Sequence, residues 1–148
     1  MIVLLTAPIH SGKTTSLIQW SDHNNVHGIL TPVVEGKRVF MNAQTNEQFA
    51  MEAIGNEETI LVGRFTFSKT AFEKAIGIIR AAIYKEGWLI IDEIGPLELR
   101  GEGFHDIVKE VLMKRKDKII LVVREGLAQQ VKDHFGIEAM MVSNIDGI

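Results

Sequence analysis

Met1-Ile2-Val3-Leu4-Leu5 is an uninterrupted apolar run, short and partly β-branched. Such a run suits a strand buried on both faces of a parallel sheet. The same signature returns at Trp88-Leu89-Ile90-Ile91, which ends on Asp92-Glu93, and at Ile119 to Val123. Between these runs the period changes. Phe72, Ala75, Ile76, Ile79 and Ile83 recur at helical spacing and predict a helix to about Lys85. Ser68 stands where its hydroxyl can accept from the free amides of the first turn. Phe104, Ile107, Val108, Val111 and Leu112 mark another helix, Leu127 to Phe135 a short one, and Lys13 to Trp20 one that opens soon after the first strand.

The remaining elements carry weaker patterns. Gly28 to Thr31 reads as a strand stopped by Pro32, and Thr59 to Phe65 and Ala139 to Val142 as two more. Arg38 to Met41 and Glu47 to Glu52, joined by the turn residues Asn42 to Asn46, predict an antiparallel hairpin. Buried strands alternating with amphipathic helices make this an α/β domain with a mostly parallel sheet. No repeat or linker divides the chain, so residues 1–148 are expected to form one domain. In such sheets ligands bind at the carboxyl ends of the strands.

Composition changes this picture in few places. An apolar share of 46% provides for a sizeable core. The net charge of −3 argues against broad nucleic-acid binding, which shows as a basic surplus. The one dense basic run, Lys114, Arg115, Lys116 and Lys118, closes a predicted helix, where cations favour the negative end of the dipole; a phosphate or RNA patch is the other reading. There is no cysteine, which excludes disulfides, zinc–thiolate sites and thiol nucleophiles. The apolar start is too short for a signal segment, and no stretch approaches the ~20 apolar residues of a membrane span. A cytoplasmic protein with no membrane partner is expected.

The chemistry lies at two strand ends. Ala7-Pro8-Ile9-His10-Ser11-Gly12-Lys13-Thr14 follows the first strand and opens the first helix. It matches the phosphate-binding P-loop (Walker A) pattern with Ala7 in place of the first glycine. In such a loop, successive backbone N–H groups converge on one point, and the following helix adds its own free amides and positive dipole end. Lys13 would reach the β- and γ-phosphates, the Thr14 hydroxyl would coordinate magnesium, and Thr15 can donate to the α-phosphate. A chance Gly-Lys-Thr is the alternative, but strand, loop and helix stand in the required order. His10 occupies a position that is often glycine; histidine tolerates left-handed backbone better than bulky or β-branched residues.

Asp92-Glu93 leaves a buried strand, and if that strand neighbours the first, the pair sits beside the P-loop. Asp92 is then the Walker B acid holding magnesium, and Glu93 is placed to polarise an attacking water. Alone, two acids at a strand exit are equally ordinary solvated charges. Arg124 ends the run Ile119 to Val123 and either contacts the γ-phosphate or caps the sheet edge. Arg64 and Arg100 are weaker candidates for charge stabilisation, better read as salt-bridge partners. His23, His27, His105 and His134 show no metal-ligand spacing.

The run Ile90-Ile91-Asp92-Glu93-Ile94-Gly95-Pro96-Leu97-Glu98-Leu99 resembles the Asp-Glu-Ile-Gly-x-Met-Glu-Leu signature of the small P-loop nucleoside triphosphatases. That family includes the thermophile nucleoside triphosphatases and the cancer-related nucleoside triphosphatase. Leu97 stands in place of the methionine. Gly28 to Val39, Val62-Gly63-Arg64-Phe65 and Val142-Ser143-Asn144-Ile145-Asp146 are looser matches that extend the resemblance over most of the chain. The resemblance implies a three-layer, RecA-like fold and slow hydrolysis of several nucleoside triphosphates, ATP and GTP among them, to diphosphates. It implies Asp92 as the magnesium-side acid, Glu93 as the base-like residue, and for Glu98 an ordering role in the loop after Glu93. The chain departs from the family loop at Ala7, Ile9 and His10, and at Ile145, where arginine is frequent. Lys13, Thr14, Asp92 and Glu93 are all present.

Magnesium-dependent hydrolysis with little base selectivity is therefore expected. Two other readings share the loop. A small-molecule kinase would need an acceptor pocket and usually a basic lid, and no Arg-rich insert appears. A nucleotide-binding switch with negligible turnover would release phosphate only when a partner is added.

Overall fold

The computed structural model describes residues 1–6, 12–52, 59–62 and 65–148. Ala7, Pro8, Ile9, His10, Ser11 and Arg64, and with them the readings placed on these residues, lie outside the described residues.

The chain runs β1 (Ile2–Leu5), α1 (Lys13–Ser21), β2 (Val26–Leu30), β3 (Val33–Val34), β4 (Lys37–Asn42), β5 (Gln48–Ala50), β6 (Thr59–Val62), β7 (Phe65–Ser68) and α2 (Lys69–Ala82). It continues through β8 (Trp88–Ile94), α3 (Pro96–Leu99), α4 (His105–Lys114), β9 (Ile119–Val123), α5 (Ala128–Phe135) and β10 (Met140–Val142) to a short 3-10 turn, Ile145–Gly147. The main sheet has the order β10-β1-β9-β8-β2-β4-β3, with β5 on β4. The pairings from β10 to β2 are parallel, and β4 pairs antiparallel with β2, β3 and β5. This is the expected α/β class, a mostly parallel sheet with an antiparallel hairpin.

The apolar runs divide by parity, because side chains alternate across a strand. Val3, Leu5, Ile90, Ile120 and Val122 face one side, where they pack with Leu17 of α1 and Ile145. Leu4, Leu89, Ile91, Ile119, Leu121 and Val123 face the other, against Phe72, Ala75 and Ile79 of α2, Ile107 and Val111 of α4, and Val131 of α5. Both faces are covered, which is why these strands read as continuous apolar runs. Gly28 sits opposite Ile90 at φ 108°, and a Cβ there would run into the Ile90 carbonyl oxygen. β2 and β8 can approach each other only with glycine at that point.

Three sequence expectations change. Thr59 to Phe65, read as one strand, is the hairpin of β6 and β7, with Thr59 opposite Ser68 and Val62 opposite Phe65. The whole stretch is strand-like in composition, so no change of period marks the reversal. β8 does not stop at Glu93; Asp92 pairs with Val122 and Ile94 with Val123 across an irregularity. Third, β1 and β8 are not neighbours, because β9 lies between them.

Ser68 caps α2 as expected, accepting from the Ala71 amide at 3.1 Å. The basic run after α4 also has a structural partner. The Arg115 guanidinium donates to the carbonyls of Ile83 at 3.0 Å and Lys85 at 2.7 Å, and to that of Gly87. It thereby serves the orphan carbonyls beyond the end of α2. Among the described residues no helix is long and apolar enough to cross a membrane.

Candidate active site

The parallel strands deliver their carboxyl ends to one edge of the sheet. Gly12, at φ 80°, is the N-cap of α1, and its carbonyl accepts from Ser16 N–H at 2.9 Å. That left-handed backbone suits glycine at the last loop position before the helix. Lys13 and Thr14 begin α1 and Thr15 is exposed in its first turn, so the helix amino end opens toward the same edge.

Asp92 is fully buried in β8. Its Oδ2 accepts from the Thr31 amide at 3.1 Å and from the Thr14 hydroxyl at 3.4 Å. Although β9 separates β1 from β8, the Gly-Lys-Thr hydroxyl and the strand-end acid still meet. The other oxygen, Oδ1, is buried and has no hydrogen-bond partner among the described residues. An ionised oxygen left so is costly. Accordingly the Asp92 pKa is raised to about 6, first by burial and then by the charge of Glu93, against the Thr31 hydrogen bond and the Arg38 charge. A carboxylate and a hydroxyl, with one buried acid oxygen unsatisfied, form a donor set that fits a hard divalent cation, which takes oxygen ligands.

Glu93 is mostly buried, its side chain 13% exposed, and two guanidiniums flank it. Its Oε1 lies 3.7 Å from Arg124 Nε and 3.9 Å from Arg38 Nη1. Arg124 follows β9, whose insertion between β1 and β8 brings it to this edge, and its amide donates to the Ile94 carbonyl at 3.0 Å. Arg38 is the residue that sequence reasoning missed. It enters from β4, and no local pattern ties a hairpin arginine to a distant acidic pair.

Glu98 is buried in α3. Its Oε1 accepts from Gly95 N–H at 2.8 Å and its Oε2 from Phe104 N–H at 3.0 Å. It thus closes the loop after Glu93 onto the start of α4, the ordering role that the motif implied. Burial raises its pKa, opposed by these hydrogen bonds. Gly103 passes beneath at φ 59°, where a Cβ would strike the Glu98 carboxylate. Glu98→Ala leaves two buried N–H groups unpaired. We expect a stability loss of about 2–6 kcal/mol, each of the two unmet groups costing about 1–3, read as a fall in the urea midpoint. A change below about 0.5 kcal/mol, the size of an ordinary surface substitution, would show that the loop does not depend on this carboxylate.

The weaker candidates separate from this cluster. Arg100 pairs with Glu102 at 3.2 Å. His27 is buried against Gln44 at 3.2 Å, and His105 meets His134 at 2.9 Å. Among the described residues no three metal-ligating side chains form a group.

A protein-family model described as "NTPase" matches residues 2–146. The chain belongs to this family, the small P-loop nucleoside triphosphatases. Nucleoside-triphosphatase THEP1 of Methanothermobacter thermautotrophicus is 29% identical over 96% of this chain and 87% of its own length. Among solved structures, the crystal structure of THEP1 from Aquifex aeolicus superposes with a TM-score of 0.71 at 20% identity, covering 97% of this chain and 90% of that one. The solution structure of a human cancer-related nucleoside triphosphatase gives 0.65 at 23% identity, covering 97% and 89%. The fold is that of these P-loop nucleoside triphosphatases, and this family member is a nucleoside triphosphatase by class.

Proposed function

We propose that this NTPase hydrolyses nucleoside 5′-triphosphates to diphosphate and phosphate in a Mg²⁺-dependent reaction with little preference among bases. The observation that carries this reading is the Thr14 hydroxyl 3.4 Å from Asp92, whose other oxygen is buried and unpaired. Asp92 and Thr14 would hold the ion. When bound, Mg²⁺ neutralises charge on the phosphoryl oxygens and helps to orient them. By its sequence pattern the segment Ala7 to Thr15 would bind the phosphates, with Lys13 as their cation. Glu93, one residue beyond the metal-side acid, accepts a hydrogen bond from the attacking water and directs its lone pair at the γ-phosphorus. Phosphoryl transfer needs mainly positioning and electrostatics, so this small set of residues suffices.

Every residue in that set addresses phosphate, metal or water, and none reads a base edge. Phosphate release from ATP, GTP, CTP, UTP and ITP, with and without Mg²⁺, tests the proposal. Turnover should vary little with base and require the ion. A preference above ~100-fold for one base, about 2.7 kcal/mol in the transition state, would overturn the base tolerance. Release that ignores Mg²⁺ would overturn the metal assignment.

Arg124 is half-exposed and rests against Glu93. We assign it to charge that develops on the γ-phosphoryl group in the transition state. Arg124→Ala should lower kcat by roughly 10²-fold, the usual cost of one such donor, while ADP affinity changes little. Unchanged turnover in a folded variant would make Arg124 a residue of the sheet edge.

A further inference from the structure

Beside Asp92 and Glu93 opens a cavity of about 330 Å³. It lies toward the α2–α4 face of the sheet, across β8 from the face that carries α1. Its polar end holds Asp92, Glu93, Lys37, Arg38 and Arg124, with Arg38 and Arg124 flanking Glu93. Its interior is aromatic. Phe40, Phe72 and Phe104 form a cluster with ring centroids 5.1 to 5.9 Å apart, and Phe67 packs on Phe72 at 6.0 Å. Met51 and Leu97 complete the wall.

The proposed hydrolysis uses Asp92, Glu93 and Arg124 at the polar end but none of the aromatic wall. Packed cores leave few voids larger than a water molecule, whereas this space lies within the size range of small-molecule sites. A water molecule needs polar partners, and the aromatic wall offers none. The combination is that of a ligand site: an apolar body is gripped by ring faces and edges, and polar groups at one end fix its orientation. That polar end is Glu93, the group assigned to activate the nucleophile.

We propose that the cavity is a phosphoryl-acceptor site for a small aryl-bearing alcohol. The ring lies among Phe40, Phe72 and Phe104, and the hydroxyl takes the place of the attacking water at Glu93. The alcohol oxygen bonds to the γ-phosphorus as the bond to the β–γ bridging oxygen breaks. The hydroxyl proton passes to the Glu93 carboxylate, and the products are the phosphate monoester of the alcohol and a nucleoside diphosphate. No other reactant is needed. Lys37 and Arg38 at the polar end face the dianionic ester as it forms. Hydrolysis is then the reaction seen when the cavity holds no alcohol. The inference rests on the triphosphate reading of the phosphate site.

The test uses the full chain labelled with ¹³C at methionine methyls. With Mg²⁺ and a non-hydrolysable ATP analogue bound, benzyl alcohol, 2-phenylethanol and tryptophol are titrated in turn. At least one should shift the Met51 methyl resonance saturably, with a Kd on the order of 1 mM, as for a fragment held by about 4 kcal/mol. With ATP in place of the analogue, ³¹P NMR should then show phosphate monoester exceeding inorganic phosphate by about tenfold or more at saturation, since a well-seated hydroxyl reaches effective molarities of about 10⁵ M. Met51→Trp, which fills the cavity, should abolish formation of the phosphate monoester in a variant whose circular dichroism matches the parent. No Met51 shift with any of the three alcohols overturns the site. A saturable shift with inorganic phosphate as the sole product overturns the acceptor role. If ATP alone yields no phosphate, the failure lies in the triphosphate reading itself, and the inference falls with it.

Discussion

Glu93→Gln is expected to bind Mg-ATP with near-parental affinity and to hydrolyse it about 10²–10⁴-fold more slowly, the range attributed to a general acid or base. The expectation follows from position. Asp92, not Glu93, meets the Thr14 hydroxyl, so the proposed metal and phosphate contacts of the ground state do not run through Glu93. Glutamine keeps the volume and one acceptor oxygen but loses the charge that draws the proton from the nucleophile. It also loses the attraction to Arg124 and Arg38, which lie 3.7 and 3.9 Å from the carboxylate. Those separations exceed hydrogen-bond length, so the arginines stay at the site by charge more than by fixed geometry. Single-turnover hydrolysis and Mg-ATP titration of the same protein separate the two effects. Lys13→Ala is the contrasting case, since an ammonium that touches phosphate in the ground state should weaken binding directly. Parental turnover in Glu93→Gln would remove Glu93 from the chemistry. Binding lost as fully as in Lys13→Ala would place it with the metal.

Much of this arrangement was legible because burial on both sheet faces writes itself into sequence. Ile119–Val123 is a strand with the bounds that its apolar run predicts. The same property hides strand order. A run buried on both faces looks alike wherever it lies in the sheet, so nothing in Ile119 to Val123 announces its insertion between β1 and β8. That insertion is what sets Arg124 beside Glu93. α3 spans four residues, too few for a helical period to show, and no pattern in the sequence predicted it. Arg38 and Phe40 belong to a hairpin legible from its turn residues. Their approach to Glu93 and to the α2–α4 face depends on β4 pairing with β2, a contact between elements that no local pattern encodes. The sequence thus carried the phosphate-side residues, which lie in contiguous motifs. It left unseen the side of the site assembled from separate elements.

Asp92→Asn should change the pH dependence of stability more than any other substitution here. The folded-state pKa of Asp92 is raised from 3.8 to about 6 by burial and by Glu93. Below the unfolded value, Asp92 is protonated in both states and contributes nothing to the difference. As pH rises past 3.8 the unfolded chain ionises first, while the folded protein holds its proton to about 6. The metal-free fold therefore loses stability across that window, by about 3 kcal/mol in all, and the loss persists above it. Asparagine cannot ionise. It keeps an acceptor for the Thr31 amide, and its NH₂ adds a pH-independent cost of about 1–3 kcal/mol if left unpaired. The quantity to measure is the change in the stability difference, variant minus parent, between pH 4 and pH 8 in urea titrations with EDTA. It should move in the variant's favour by about 2 kcal/mol, since the unfolded carboxyl is already more than half ionised at pH 4. If Asp92 holds Mg²⁺ as proposed, the ion should bind the folded parent and not the variant, so at pH 8 a saturating concentration should restore the parent's stability by mass action. Its effect should fade as pH falls below about 6, where the proton competes for Asp92. A stability difference that stays constant between pH 4 and pH 8 would show that Asp92 ionises at its ordinary value. The unpaired Oδ1 would then not be the group that calls for a cation.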